Sequence, residues 1–196
     1  ELYGELLMDT EGALWNWAMI EDYRVDHTPD DIVRRIVAVD PAVTNEKWSA
    51  ETGIITAAVD RKGHIYVESD VSLKASPDGW ARRVCIEYQR SQADAVVIET
   101  NQGGDVLRTI IHSIDPNVNV KKVSASTGKH TRAEPVAALA EQGRIHHVGR
   151  FPDLEQQLTE WQPTDSVSPD RLDAYVWACT DLGFKKTPAP AHLIAS

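Results

Sequence analysis

Residues 34–41 read RRIVAVDP, and the rest of the predicted sheet is interpreted outward from this stretch. Its apolar run predicts a buried β-strand that ends on an acid, Asp40. A second apolar run, AVVI at 95–98, ends in the same way on Glu99. When two such strands are neighbours, their terminal carboxylates can converge on one point.

The other predicted elements lie on either side of these two runs in a regular order. We predict strands at 34–40, 53–59, 64–72, 94–99, 118–124 and 144–148. We predict helices from 77 onward and at 103–114, 132–142, 151–161 and 169–183. Three consecutive strands joined as antiparallel hairpins, then alternating helices and strands, are typical of a mixed α/β sheet flanked by helices.

The two ends of the chain differ from its centre. Residues 1–31 contain apolar positions without strand alternation, and we predict a short helix at 12–22 followed by a linker. Residues 32–185 are predicted to form one domain, and 186–196 a tail that contains Pro and Ala. The chain begins with Glu rather than Met, which is typical of a fragment of a longer protein.

Composition narrows the class of protein and its compartment. The 196 residues are 42% hydrophobic, which suffices for one packed α/β domain. No apolar stretch approaches the ~18 residues needed to cross a bilayer, so no membrane partner is expected. Cys85 and Cys179 fall at apolar positions of predicted helices, which favours buried thiols in a reducing cytoplasm.

The net charge of −10 argues against general affinity for nucleic acid, because phosphate binding depends on Lys and Arg. The distribution of charge is less uniform than this total. One basic stretch comprises Lys121, Lys122, Lys129, His130 and Arg132. A basic rim around an acidic, metal-filled centre suits a nuclease, while ordinary solvated charges are the alternative explanation.

Two more acids, Asp170 and Asp173, lie in the first turns of the last predicted helix. Each acid also has an ordinary explanation: Asp40 suits a turn, Glu99 a strand end in water, and Asp170 a helix N-terminus. Asp173 lies a turn further in and shares a helix face with Asp170. The four acids together favour a shared site over separate explanations.

Converging carboxylates repel one another unless a cation joins them, so a divalent-metal site is the leading hypothesis. Carboxylate oxygens are the ligands that Mg²⁺ and Mn²⁺ prefer. The absence of a Cys cluster from the sequence argues against structural zinc.

A series of short motifs resembles the C-terminal nuclease domain of the large terminase subunit of tailed bacteriophages, in the order found in that family. The motifs are VAVDPA at 37–42, ETGI at 51–54, VIETNQGGD at 97–105, Lys129, RAEPV at 132–136, EQGR at 141–144 and SPDRLDA at 168–174. Each motif is weak by itself, but the ordered set is specific and spans about residues 34–183.

This resemblance implies a ribonuclease H-like fold in which the first and fourth strands are parallel neighbours. It implies two Mg²⁺ or Mn²⁺ ions, about 3.5–4 Å apart, for phosphodiester hydrolysis. The ligands and catalytic acids would be Asp40, Glu99, Asp173 and Asp170. Glu51 would contact a metal through water, and both Lys129 and Arg132 would contact DNA phosphate.

The N-terminal residues 1–15 resemble the segment that joins the packaging ATPase of this family to its nuclease. The ATPase itself is not in the sequence. Residues 126–129, STGK, fail as a phosphate loop, because Val123 occupies the place of the first Gly and His130 that of Ser or Thr. We therefore expect no ATP hydrolysis by this chain.

The resemblance predicts an endonuclease domain that cuts concatemeric double-stranded DNA at the start and end of genome packaging. Little sequence preference is expected, because phosphate contacts carry little base information. The expected partners are DNA, the upstream ATPase domain, the portal protein and the small terminase subunit, in the host cytoplasm. The alternatives are a non-catalytic docking module of the packaging motor and a resolvase-like nuclease for branched DNA.

Overall fold

The computed structural model describes residues 9–41, 51–99, 104–124, 128–167 and 169–184. The predicted tail at 186–196, the loop at 42–50 and residues 1–8 lie outside these described residues.

A six-stranded mixed sheet forms the centre of the molecule. Its strands are β1 (Ile32–Asp40), β2 (Gly53–Asp60), β3 (Ile65–Asp70), β4 (Ala95–Glu99), β5 (Val120–Val123) and β6 (Ile145–His147). They lie in the order β5-β4-β1-β2-β3-β6. The β1–β2 and β2–β3 pairs are antiparallel, and the β1–β4, β4–β5 and β3–β6 pairs are parallel. The predicted mixed sheet, with antiparallel hairpins first and parallel strands later, is confirmed.

Helices cover both faces of this sheet. They are α1 (Trp17–Glu21), α2 (Pro77–Ser91), α3 (Gly104–Ile114), α4 (Lys129–Glu141), α5 (Pro152–Glu160) and α6 (Asp170–Gly183). In the part of the chain that the structure describes, none of these helices has the length and apolar character needed to span a bilayer.

The apolar run of β1 is buried on both faces because successive side chains point to opposite sides of the sheet. Ile36 and Ala38 pack in the core beneath α4, α5 and α6. Val37 and Val39 pack in the second core beneath α2 and α3. The central strand is therefore held in place from both sides, and this fixes the position of Asp40 at its end.

Two predicted helix boundaries differ from the structure. The helix predicted at 12–22 is only α1, since Gly12 adopts a left-handed φ of +87° and Asn16 caps the helix by accepting a hydrogen bond from the Met19 amide. The helix predicted from 132 begins instead at Lys129, immediately after Gly128. This earlier start places Lys129 on a helix rather than in a loop.

Part of the predicted linker packs on the domain. Trp15 is 1% exposed and meets Tyr175 of α6 edge-to-face, with ring centroids 5.9 Å apart. Val25 forms a parallel bridge with Val148, directly after β6. The predicted domain limits stay predictions, but residues 9–31 contribute to the same core as the sheet.

Candidate functional site

Asp40 and Glu99 lie at the carboxyl ends of two neighbouring strands. β1 and β4 run parallel with Val39 opposite Ile98, so the next residue of each strand is one of the two acids. Asp40 is half-buried and Glu99 is 9% exposed. Their adjacency follows from the parallel pairing of two strands that are both buried on each face.

The first turns of α6 bring Asp170 and Asp173 to the same region. Asp170 is half-buried, and Asp173 is only 3% exposed. The helix comes very close to the start of β2: a Cβ added to Gly53 would lie 2.0 Å from the carbonyl oxygen of Asp170. Only glycine permits this approach, so Gly53 is part of what positions the two acids of α6.

The electrostatics of Asp40 show that these acids act on one another. Burial raises the pKa of Asp40, and the charges of Asp173 and Glu99 raise it further, to about 8. Burial and the charge of Asp173 likewise raise the pKa of Asp170 to about 6. The carboxyl group of Asp40 is therefore mostly protonated at neutral pH when no cation is bound.

Lys129 supplies positive charge to this acidic group. Its ammonium group donates a hydrogen bond to Oδ2 of Asp173. Burial lowers the pKa of Lys129, but the bond to Asp173 and the charges of Asp40 and Glu99 outweigh burial, so the net pKa is raised. The lysine is thus a built-in counter-cation, and the raised pKa of Asp40 shows that one such cation does not balance the site.

The donor set has the chemistry that a hard divalent cation requires. Within the described residues, no three His, Cys, Asp or Glu side chains already form a group that could hold a metal ion. In this arrangement the Lys129 ammonium occupies an oxygen of Asp173. The four acids nevertheless offer only carboxylate oxygens, and a cation among them would offset both the burial and the repulsion that raise the pKa of Asp40.

Glu51 has a different partner. Both of its oxygens accept hydrogen bonds from Arg171, at 3.0 and 2.8 Å. Arg171 also donates to Asp70 at 2.6 Å. This pairing ties α6 to β3 and to the residues before β2, while the negative charge of Glu51 helps to raise the pKa of Asp170. A water-mediated contact of Glu51 with metal stays a prediction.

Trp177 links two of the predicted site residues. Its indole N–H donates a hydrogen bond to Oε2 of Glu99 at 2.6 Å. The guanidinium carbon of Arg132 lies 4.6 Å from the centroid of the Trp177 ring. Arg132 therefore packs on the indole, and its predicted contact with DNA phosphate stays a prediction.

Trp177 and Arg171 are the residues of this region that the sequence interpretation missed. Trp177 is not among the predicted site residues, and Arg171 enters the sequence interpretation only as part of the SPDRLDA motif. The available signal was spacing on α6: Trp177 follows Asp173 by four residues and so lies on the same helix face.

Comparison with known proteins agrees with this geometry. A family model described as "Terminase RNaseH-like domain" matches residues 37–182. The comparison with curated proteins found no significant match.

Three similar solved structures come from phages. The nuclease domain of the large terminase subunit gp2 of bacterial virus Sf6 is 12% identical, with a TM-score of 0.61 and coverage of 85% of this chain and 98% of that one. The large terminase nuclease of thermophilic phage G20c, with bound magnesium, is 12% identical, with a TM-score of 0.57 and coverage of 87% and 98%. The large terminase of a second thermophilic bacteriophage is 9% identical, with a TM-score of 0.66.

The match to this last protein covers 88% of the present chain but only 44% of the large terminase, so the present chain spans less than half of its length. At these identities the three likenesses show the fold. The predicted ribonuclease H-like fold is confirmed.

Proposed function

This chain belongs to the family of terminase RNase H-like domains, and we propose that it is a divalent-metal-dependent endonuclease that cuts concatemeric double-stranded DNA during phage genome packaging. The observation that carries the proposal is the excess of negative charge at the carboxyl ends of β1 and β4. Four acids meet there beside Lys129, and the pKa of Asp40 rises to about 8. A structural ion-pair cluster would have its charges balanced instead.

The predicted ligands are the four acids, and the proposed cofactor is a pair of Mg²⁺ or Mn²⁺ ions. The magnesium bound to the G20c nuclease supports this choice. Bound cations of this kind activate water for attack on a phosphodiester and stabilise the departing 3′-oxygen. We expect Asp40 to contribute most; what supports this is that its strand packs in both cores and its carboxyl group faces the charges of Asp173 and Glu99.

Lys129 and Arg132 have supporting roles in this proposal. The Lys129 side chain is half-exposed, so its ammonium group can reach both the acids and a phosphate from solvent. Arg132 follows three residues later on α4 and lies on the same side of that helix. Positive charge beside the site would offset the negative charge that the phosphate brings.

The substrate and partners follow from the family and from the charge of the chain. The upstream ATPase domain, the portal protein and the small terminase subunit are the proposed partners, and the host cytoplasm is the proposed compartment. The net charge of −10 predicts that the isolated domain binds DNA weakly and only at low salt. Selection of the cutting point would then depend on these partners rather than on base contacts.

A nicking assay on supercoiled plasmid with Mg²⁺ or Mn²⁺ tests the proposal. We expect Asp40→Ala and Asp173→Ala to lower the rate by roughly a thousandfold or more, because each removes a ligand of the reacting centre. Asp78→Ala is the matched control, since Asp78 is an exposed acid on α2 that pairs with Arg82 of the same helix. Equal nicking by wild type and all three variants, or none by any of them, would overturn the proposal.

The same assay distinguishes the proposed packaging nuclease from the resolvase-like alternative. A four-way junction and a linear duplex of the same length are offered together at low salt. Similar rates on the two substrates are expected for a packaging nuclease, whereas a strong preference for the junction would favour the alternative.

A further inference from the structure

We propose that Trp177 is a positioning residue that fixes the orientation of the Glu99 carboxylate for metal binding, and that Arg132 holds the indole ring in place. The inference rests on the proposed function, because it assigns a task to Trp177 within the same site.

The hydrogen bond itself is short and buried. Trp177 Nε1 lies 2.6 Å from Glu99 Oε2, and the two residues are 5% and 9% exposed. A buried indole N–H requires an acceptor, and a bond to a carboxylate is stronger than a bond between neutral groups. One oxygen of Glu99 therefore has a defined position before any cation arrives.

The helix that carries Trp177 also carries a predicted ligand. Asp173 and Trp177 are four residues apart on α6, so they project from one face of the helix. One rigid helix thus supplies one acid directly and orients a second acid on β4. A shift of α6 would disturb both at once.

Helix α4 supports the same arrangement from the other side. Lys129, its first residue, bonds to Asp173, and Arg132, one turn later, lies over the Trp177 ring at 4.6 Å. A cation above an aromatic face is attracted to it, and this contact fixes the plane of the ring. The plane of the ring sets the direction of the indole N–H, and so the position of Glu99 Oε2.

Ligands of metal sites are commonly held in this way by an outer partner, and loss of the partner weakens metal binding by roughly 10- to 100-fold. The assignment can therefore be tested without measuring nicking. The probe is Mn²⁺ alone, titrated calorimetrically into the whole chain.

Trp177→Phe keeps an aromatic ring in the core but removes the donor. We expect it to weaken Mn²⁺ binding by about tenfold or more. Trp161→Phe is the matched control, because Trp161 is also buried and its indole nitrogen has no hydrogen-bond partner within the described residues. We expect less than about a twofold change in the control, and equal affinities in the two variants would overturn the inference.

A second measurement uses the metal-free protein and does not depend on metal binding. Glu99→Gln should move a single indole N–H resonance in a ¹H–¹⁵N spectrum, because the acceptor of that proton loses its charge. Trp177→Phe should remove that same resonance. If Glu99→Gln leaves all six indole resonances unmoved, the inference is wrong.

The two failures can be told apart. A wild-type chain that binds no Mn²⁺ would overturn the proposed function and this inference with it. A wild-type chain that binds Mn²⁺, with Trp177→Phe and Trp161→Phe binding it equally well, would overturn the inference alone.

Discussion

Two kinds of buried carboxylate occur in this molecule, and they differ in how their charge is balanced. Glu155, on α5, is 2% exposed and accepts hydrogen bonds from Arg24 at 2.7 Å and His147 at 2.9 Å. Asp173 is similarly buried at 3% and bonds to Lys129, but it also lies beside Asp40 and Asp170. Similar burial thus accompanies different electrostatic surroundings.

The pKa values follow this difference. Burial alone would raise the pKa of Glu155, but the bonds from His147 and Arg24 outweigh it and lower the pKa to about 2. Glu87 on α2 behaves in the same way, since bonds from Arg90, Ser69 and Thr56 outweigh its burial and lower its pKa. At the carboxyl ends of β1 and β4, burial and repulsion act together and raise the pKa of Asp40 to about 8.

Burial does not by itself identify a functional acid. Carboxylates whose charge is balanced by cations, such as Glu155, hold elements of the fold together. The acids at the ends of β1 and β4 have less positive charge around them than negative charge. Such a deficit costs stability, and a site tolerates it where a ligand is to supply the missing charge.

The largest expected effect on stability comes from the balanced side. Glu155→Gln should lower the free energy of unfolding by about 3 kcal/mol, because it removes the buried negative charge that accepts hydrogen bonds from both Arg24 and His147. Urea denaturation measures this. Glu160→Gln is the control: Glu160 is exposed on the same helix, and a change below about 0.5 kcal/mol is expected. If both variants are equally stable, the Glu155 cluster is not stabilising and the comparison fails.

Gly53→Ala separates geometry from charge at the acidic site. The new Cβ would lie 2.0 Å from the Asp170 carbonyl oxygen, so α6 must move away from β2. We expect a loss of about 2 kcal/mol in urea denaturation, together with reduced nicking, although no charge is changed.

Gly128→Ala is the matched control for this substitution, since a Cβ there meets no other described residue within 4 Å. It should change the free energy of unfolding by less than about 1 kcal/mol. Full activity and stability in Gly53→Ala would show that α6 can be displaced without harm to the site.

The pH dependence of stability should reveal the Glu155 cluster directly. Its pKa in the folded protein, about 2, lies below the ordinary value of 4.5, so the unfolded chain binds more protons between these values. The stabilisation is therefore present above about pH 4.5 and is lost as the pH falls toward 2. The stability gap between wild type and Glu155→Gln should narrow by up to about 1.4 kcal/mol per pH unit. A constant gap across this window would contradict the assignment.

The smallest effect, and the one of opposite sign, is expected at the unbalanced site. Asp40→Asn in a metal-free buffer with a chelator should raise the free energy of unfolding by about 1 kcal/mol, because the neutral amide removes the cost of burying an ionisable group beside Asp173 and Glu99. The same variant should lose nicking. If its stability instead falls as far as that of Glu155→Gln, the two classes of carboxylate do not differ.

Much of this contrast depends on contacts that periodicity cannot predict. The strands that end on Asp40 and Glu99 follow from local patterns, because a run of apolar residues ending in an acid is visible in the sequence. That these two strands are parallel neighbours was implied by the family resemblance. The partner of Glu99 is not visible, since Trp177 lies 78 residues away on another element. Glu51 and Arg171 are 120 positions apart in the sequence, which hides that ion pair in the same way.

The start of α4 was missed for a local reason. Gly128 offers no side-chain cap that would mark Lys129 as the first helical residue. Pro135 lies inside the helix rather than in its first turn, so it does not mark the start either. The catalytic roles of Asp40, Glu99, Asp170 and Asp173 stay predictions that the nicking assay decides.

The bridge between Val25 and Val148 also affects how neighbouring copies of the chain behave. The Val25 amide donates to His147 at 3.0 Å and the Gly149 amide donates to Val25 at 3.0 Å, so the N-terminal segment occupies the outer side of β6. The opposite margin of the sheet is β5, which is four residues long and carries Lys121 and Lys122. Edge strands that are short, covered or rich in lysine resist intermolecular strand pairing. Where many copies are crowded together, this protects the sheet against aggregation.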